Sequence, residues 1–286
     1  MPPDTETLLV PVANRETVDR LLDTAIDIAC GRSMRVVVIH VIEVPPQVPI
    51  SEGRRLVKDD GEERTLIDRA TEQLEAADVP VESRLRYARD VATGIVGAVD
   101  DNDADTLLMG WRGRPRRRGI VLGRFLDRVL GEAQCDVLVE RIRGETSGVD
   151  SILVPVAGGP HGELAVELAG TIGEQQDAVV NLLHVLPPTA TDERRQEAQT
   201  VLDEAAALLE GSTVEVATTI RESDHVAGAI TDETVSHDLT ILGATGDSFL
   251  RRKLIGSVAG GVGRAAASSV ILARRQSGEE EGRVGR

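Results

Sequence analysis

Leu8-Leu9-Val10-Pro11-Val12-Ala13 returns as Ile152-Leu153-Val154-Pro155-Val156-Ala157, an offset of 144 residues. Short runs of Val, Ile and Leu with no polar interruption suit strands covered on both faces, the habit of parallel sheets. Working outward, Val38-Ile39-His40-Val41 returns as Leu182-Leu183-His184-Val185 at the same offset. Later, Thr106-Leu107-Leu108-Met109-Gly110 matches Leu239-Thr240-Ile241-Leu242-Gly243 and Val137-Leu138-Val139 matches Val270-Ile271-Leu272, now offset by 133. The second copy is thus 11 residues shorter, and the deletion falls where the first carries the polar, Pro-containing stretch from Pro45 to Gly61. At 286 residues the chain is about twice a common domain length, so one domain occurring twice is the economical reading. The domains expected are 1–143 and 150–275, joined by a linker near Arg141 to Val149 and followed by a solvated tail over 276–286.

Helical periodicity fills the gaps between strands. Val18, Leu21, Leu22, Ala25 and Ala29 share one helical face in the first copy, as do Ala165, Leu168, Ala169 and Ile172 in the second. Second helices are expected over Glu62 to Ala77 and Asp192 to Glu210, then strands near Val81 to Leu85 and Val214 to Thr219 and helices near Asp90 to Asp100 and Asp224 to Ser236. The βαβ series predicts two doubly wound α/β domains. Their last strands, Val137 to Glu140 and Ser269 to Ala273, are expected at sheet edges, able to pair within one chain or between chains. A homodimer of one-chain pseudo-dimers follows from that expectation.

Composition removes several function classes. There are 48 acidic residues against 32 basic ones, a net charge of -16, and only Lys58 and Lys253 are lysines. A general nucleic-acid binder needs the opposite balance. One Trp, one Tyr and two Phe cannot build base-stacking platforms either. The excess of Arg over Lys in an acidic chain fits either a halophilic surface kept soluble at high salt or GC-rich coding. Cys30 and Cys135 lie far apart with no CxxC spacing, so neither a disulfide framework nor a zinc ribbon is expected, and a reducing cytoplasm is the natural location. The most apolar stretch, Val36 to Val44, is broken by His40 and Glu43 and falls far short of the roughly 20 residues of a membrane span. MPPDTETLLV has no basic region ahead of an apolar one, so neither a secretory signal nor membrane insertion is expected.

In a doubly wound sheet, ligands sit beyond the carboxyl ends of the strands, where strand order reverses. There the second copy offers Gly243-Ala-Thr-Gly246, nine residues, then Gly256-Ser257. Gly243 and Gly246 are expected to take positive φ and let main-chain amides approach an anion, with Ser257 and the N–H of Val258 meeting it at a helix N-terminus. The first copy repeats the spacing in Gly110-Trp-Arg-Gly113, nine residues, Gly123-Arg124, with Arg112, Arg114, Arg116, Arg117 and Arg118 nearby as a phosphate clamp or a solvated basic loop. Tight turns and an N-cap serine are the alternative to phosphate.

At these residues the chain resembles the universal stress protein family in its tandem-domain form, over almost its whole length. The resemblance implies an adenine nucleotide alpha-hydrolase-like fold, with a five-stranded parallel sheet per domain and domain pairing through the last strands. It also implies, in the nucleotide-binding branch, ATP or AMP as ligand, with Mg2+ a possible companion. Carried over, Gly243, Gly246, Gly256, Ser257 and Val258 hold ribose and phosphates, and Val185 meets the adenine through its main chain. Val41, Gly110, Gly113, Gly123 and Arg124 are the counterparts in the first copy. The family commonly has an acidic residue directly after the Val-Pro-Val strand, where this chain has Ala13 and Ala157.

Other chemistry finds little support. A Walker loop needs Gly before Lys, but the lysines follow Val57 and Arg252. Gly261-Val-Gly263-Arg-Ala-Ala266 follows no strand and reads as close helix packing. His40, His161, His184, His225 and His237 show no ligand spacing, His40 and His184 reading as structural and the last two as helix-cap positions. Asp247 and Lys253 allow at most slow, incidental ATP hydrolysis. The expectation is a non-enzymatic cytoplasmic module that binds an adenine nucleotide and signals through domain pairing or a partner. The rivals are a nucleotide-independent regulatory protein, for instance for a membrane transporter, and an adenylating or phosphate-transferring enzyme.

Overall fold

The computed structural model describes residues 5–56, 61–111, 124–143, 148–244 and 257–276. The first half runs β1 (Thr7–Pro11), α1 (Val18–Arg32), β2 (Arg35–Glu43), α2 (Glu62–Ala76), β3 (Val81–Ala88), α3 (Val91–Asp101), β4 (Thr106–Gly110), α4 (Arg124–Glu132) and β5 (Asp136–Arg141). The second runs β6 (Ser151–Pro155), α5 (Pro160–Gln176), β7 (Val179–Leu186), α6 (Asp192–Ala207), β8 (Val216–Glu222), α7 (Val226–Glu233), β9 (Leu239–Gly243), α8 (Ser257–Ala265) and β10 (Ser269–Arg274). The 11 extra residues of the first half are the connection that holds a 3-10 turn over Ile50–Leu56.

Instead of two separate sheets there is one, with strand order β3-β2-β1-β4-β5-β10-β9-β6-β7-β8. Each half is five parallel strands; β5 and β10 meet antiparallel at the centre. Val137 faces Arg274 and Arg141 faces Val270, with Val139 opposite Leu272 in the middle. Since Val137 corresponds to Val270 and Arg141 to Arg274, the contact is self-complementary, as in a two-fold dimer. Both last strands are flanked on each side, so a homodimer formed through them has no free edge to use. The outer edges are β3 and β8, where Glu82, Arg84, Arg86, Arg221 and Glu222 place charge on the open side.

Strand alternation sends Val36 and Val38 to one apolar layer and Val37 and Ile39 to the other. The first layer lies under α1, α2, α5 and α6; the second lies under α3, α4, α7 and α8. Polar details recur in both halves. Asp105 accepts from the Thr7 N–H at 2.8 Å and Asp238 from the Ser151 N–H at 3.0 Å, fixing where β1 and β6 begin. Ser33 and Asp177 end α1 and α5 in the left-handed conformation, φ 54° and 55°. Arg141 donates to the Gly263 carbonyl of the second half, and Arg274 donates to Ala133 and Cys135 of the first, both at 2.9 Å. These buried cross-links tie each half to the C-terminal turn of the other's last helix.

Helices α1 and α5 also cross beside the pseudo-two-fold. A Cβ on Gly31 would lie 2.6 Å from Thr171 Cγ2, so glycine is needed for the close approach. Arg32 donates to Thr171 and Gln176 to Asp27 across the same crossing, at 3.4 and 2.8 Å.

Candidate functional site

Strand order reverses between β1 and β4 in the first half and between β6 and β9 in the second. The crevices beyond those strand ends are the candidate sites. Gly110 ends β4 and Gly243 ends β9 as the repeat spacing requires, and Ser257 and Val258 open α8. Gly113, Gly123, Gly246, Gly256, Asp247, Lys253 and the arginines at 112, 114, 116, 117 and 118 lie outside the described residues. Arg124 opens α4.

Gly243 does not take the expected positive φ; among the described residues Gly148, Gly158, Gly159 and Gly211 are the glycines that do. Its small size answers a different need. A Cβ there would sit 2.7 to 2.8 Å from the main chain of His161 and Gly162, in the first turn of α5. Gly110 is roomier, with Leu21 side-chain atoms no closer than 3.7 Å to such a Cβ.

The conformational freedom appears instead on the loop after β6. Gly158 and Gly159 have φ of 80° and 83°, and Gly159 caps α5 with no side-chain hydrogen bond. Pro160 at the first helical position has no N–H, so the amides of His161 and Gly162 remain as donors lacking an intrahelical acceptor. The Gly162 amide lies against Gly243, beside the His161 carbonyl. Together with the partial positive charge of a 17-residue helix, this is an anion-binding arrangement of main chain. The first half has Asn14-Arg15-Glu16 at this place, and Asn14 spends its side chain on the amides of Glu16 and Thr17, both at 3.2 Å. Gly-Gly-Pro directly after Ala157 was the available sequence signal for this loop.

Val185 and Val41 occupy matching places. The last ladder bond between β6 and β7 runs from Val156 N–H to Leu183 O, 2.9 Å, and the first-half bond from Val12 N–H to Ile39 O, 2.8 Å. In a parallel ladder alternate residues bond to alternate neighbours. The N–H and C=O of Val185 therefore point past the end of β6, and those of Val41 past the end of β1. The Val185 side chain packs in the same apolar layer as Val258. Between them the imidazoles of His184 and His40 bond the Val156 and Val12 carbonyls through Nδ1, at 2.9 and 2.8 Å. Both histidines hold a strand end.

A cavity of about 250 Å3 opens between α5 and α6, floored by Val156 and Val166 and edged by Glu163 and Glu204. Two carboxylates disfavour phosphate within that cavity. Among the described residues no cluster of acidic, His or Cys side chains could hold a metal ion. The buried Cys135 thiol is pushed up to about 12 by desolvation, which makes it a poor nucleophile. His161 accepts from the Arg275 N–H at 3.0 Å, and burial lowers its pKa. No described helix is long and apolar enough to cross a membrane.

A duplicated, doubly wound domain whose switch points end in glycine, joined through its last strands into one sheet, defines a class. The profile of the Universal stress protein family matches residues 5–141 and 148–274. The chain belongs to that family. A universal stress protein from Archaeoglobus fulgidus has the same architecture, 17% identical, covering 95% of this chain and 97% of that one with a TM-score of 0.67. The cytoplasmic domain of a prokaryotic cation chloride cotransporter superposes comparably, 14% identical over 97% of this chain and 98% of that one, TM-score 0.64. At these identities the likeness is one of fold. In sequence, the chain is 27% identical over 201 residues to the Na(+)/H(+) antiporter NhaS5 of Synechocystis sp., covering 70% of this chain and 28% of the antiporter's length.

Proposed function

We propose that this is a non-catalytic cytoplasmic regulatory module of the stress response that binds an adenine nucleotide, ATP or AMP with Mg2+, mainly in its second half. The main chain gathered at the β6–β9 switch point supports this reading. Gly158 and Gly159 hold positive φ, the first turn of α5 sets the Gly162 amide against Gly243, and Val185 points ladder groups past the end of β6. The first half has no glycine at the matching loop, so it is the weaker site. The chemistry proposed is binding without catalysis. For binding to act as a signal, the ligand must favour one of two conformations. The buried contact between the halves is where such a difference would be felt.

A second reading is a nucleotide-independent regulator of a membrane transporter. The relation to an antiporter and the alanines at 13 and 157 favour it. Isothermal titration of ATP and AMP, with and without magnesium, separates the two. Ser257→Asp is the informative variant, because an exposed carboxylate at the start of α8 suits the helix but repels phosphate. Binding heat in the wild type that disappears in Ser257→Asp is the expected result. Absence of heat in the wild type selects the transporter reading, and product formed at catalytic rates selects an enzyme.

A further inference from the structure

We propose that Glu140, facing Asp23 and Asp27 across the cleft between α1 and α5, is a proton-binding site that sets how tightly the two halves close on each other.

Glu140 sits in β5, one of the two strands that join the halves, opposite Ile271 of β10. It is fully buried, neither carboxylate oxygen has a close hydrogen-bond partner, and the Thr24 hydroxyl nearby is a donor that favours its charged form. From α1 it is faced by Arg20, Asp23, Thr24 and Asp27. The Thr24 hydroxyl is directed to the Arg20 carbonyl at 3.5 Å. Those four residues also line a cavity of about 180 Å3, to which α5 contributes the neutral Ile172 and Gln176. Gly148 and Val149 close another side. The neighbouring Arg141 points to the opposite face of the sheet, where it is held by Gly263. Glu140 and Asp27 are buried, Asp27 accepting from Gln176 at 2.8 Å, while Asp23 is exposed and accepts from Gln73 at 2.9 Å.

A buried carboxylate with no close partner is costly when charged and inexpensive when protonated. Desolvation raises Glu140 to about 7 and Asp27 to about 6, and also raises Asp23. Near neutrality Glu140 and Asp27 thus both titrate. Since no three of these side chains converge on a metal position, the proton is the ligand that fits. Uptake is simple association: one proton from solvent joins a carboxylate oxygen, giving a neutral carboxyl able to donate toward Asp27 or Thr24. Loss of that proton leaves an uncompensated charge beside the cavity between α1 and α5, and parting those two helices relieves it by admitting water.

The duplicated half shows that the scaffold does not need this carboxyl. Ala273, also buried, stands where Glu140 does in β5. Thr171 stands in for Asp27, and Glu167 stands in for Asp23 but is paired with Arg275. The acidic set is confined to one side of the pseudo-two-fold.

The test uses the full chain without nucleotide. A carboxyl whose folded value is raised gives stability that is complete below its unfolded value and is lost as pH rises through about 7. The wild-type melting temperature should fall by on the order of 5 °C between pH 5 and pH 8. Amide exchange in α1 and α5 should quicken over the same range beyond its intrinsic rate change. In Glu140→Gln, a mimic of the protonated form, both changes should flatten. Glu140→Ala, which copies the other half, serves the same purpose should the amide fail to pack. A wild type insensitive to pH, or variants that keep the full wild-type slope and the same α1–α5 exchange, would overturn the proposal.

Discussion

The two halves began as one sequence, and what they still share differs in kind from what they do not. Shared are the contacts that make the fold: the aspartate that pins the first strand, the histidine that holds its far end, the left-handed cap of the first helix and the arginine that crosses to the other half. Unshared are the features facing a ligand or the junction. The second half has Gly158-Gly159-Pro160 where the first has Asn14-Arg15-Glu16, and the first has Glu140 where the second has Ala273. Duplication lets one copy keep a site while the other drifts, and here nucleotide binding and proton binding are proposed for opposite halves.

The sharpest contrast concerns the two strand-ending glycines. Gly243→Ala forces a methyl into the main chain of His161 and Gly162, and should cost about 3 kcal/mol in urea unfolding. Among the described residues Gly110→Ala meets only Leu21, at ordinary contact distance, and should cost under about 1 kcal/mol. Equal losses would remove the packing argument. For the same reason Gly243→Val is a poor probe of nucleotide binding, since it disrupts α5 first.

Next in size are the arginines that cross between halves. Arg274→Ala leaves two carbonyls without their donor and Arg141→Ala leaves one, so losses of about 2 and about 1 kcal/mol are expected. Denaturation monitored separately for each half should show the two transitions moving together in both variants. The last comparison concerns the histidines. His40→Ala and His184→Ala should each lose about 1 kcal/mol, alike in the two halves, and leave the heat of nucleotide binding unchanged. A much larger loss of binding in His184→Ala would give that imidazole a ligand role.

Most of the fold is legible in the sequence because buried parallel strands must be apolar on both faces: Leu8, Leu9, Val10, Val36, Val37, Val38 and Ile39 are all fully buried. The repeat then supplies the number of units. Whether the last strands pair within the chain is not legible, because self-complementary strands fit a second copy as well as each other. In the candidate site, the place of Gly243 at the end of β9 is legible and its φ is not. The spacing of glycines looks alike whether a missing Cβ admits an anion, a positive φ or a neighbouring helix. Gly158 and Gly159 fall outside the repeated spacing and are missed for that reason. Glu140 is also overlooked: a lone acid within an apolar strand reads as a strand end, and only burial on both sides shows that it has nowhere to place its charge.

The account's central claim is that an adenine nucleotide rests on the second half's bare main chain. Amide chemical shifts of the full chain, followed as ATP is added with magnesium, test it directly. Shifts gathered at residues 157–162, Val185, Gly243 and 257–258, with Val41 and Gly110 still, are expected. Undisturbed spectra at saturating ATP, or shifts confined to the first half, would contradict it.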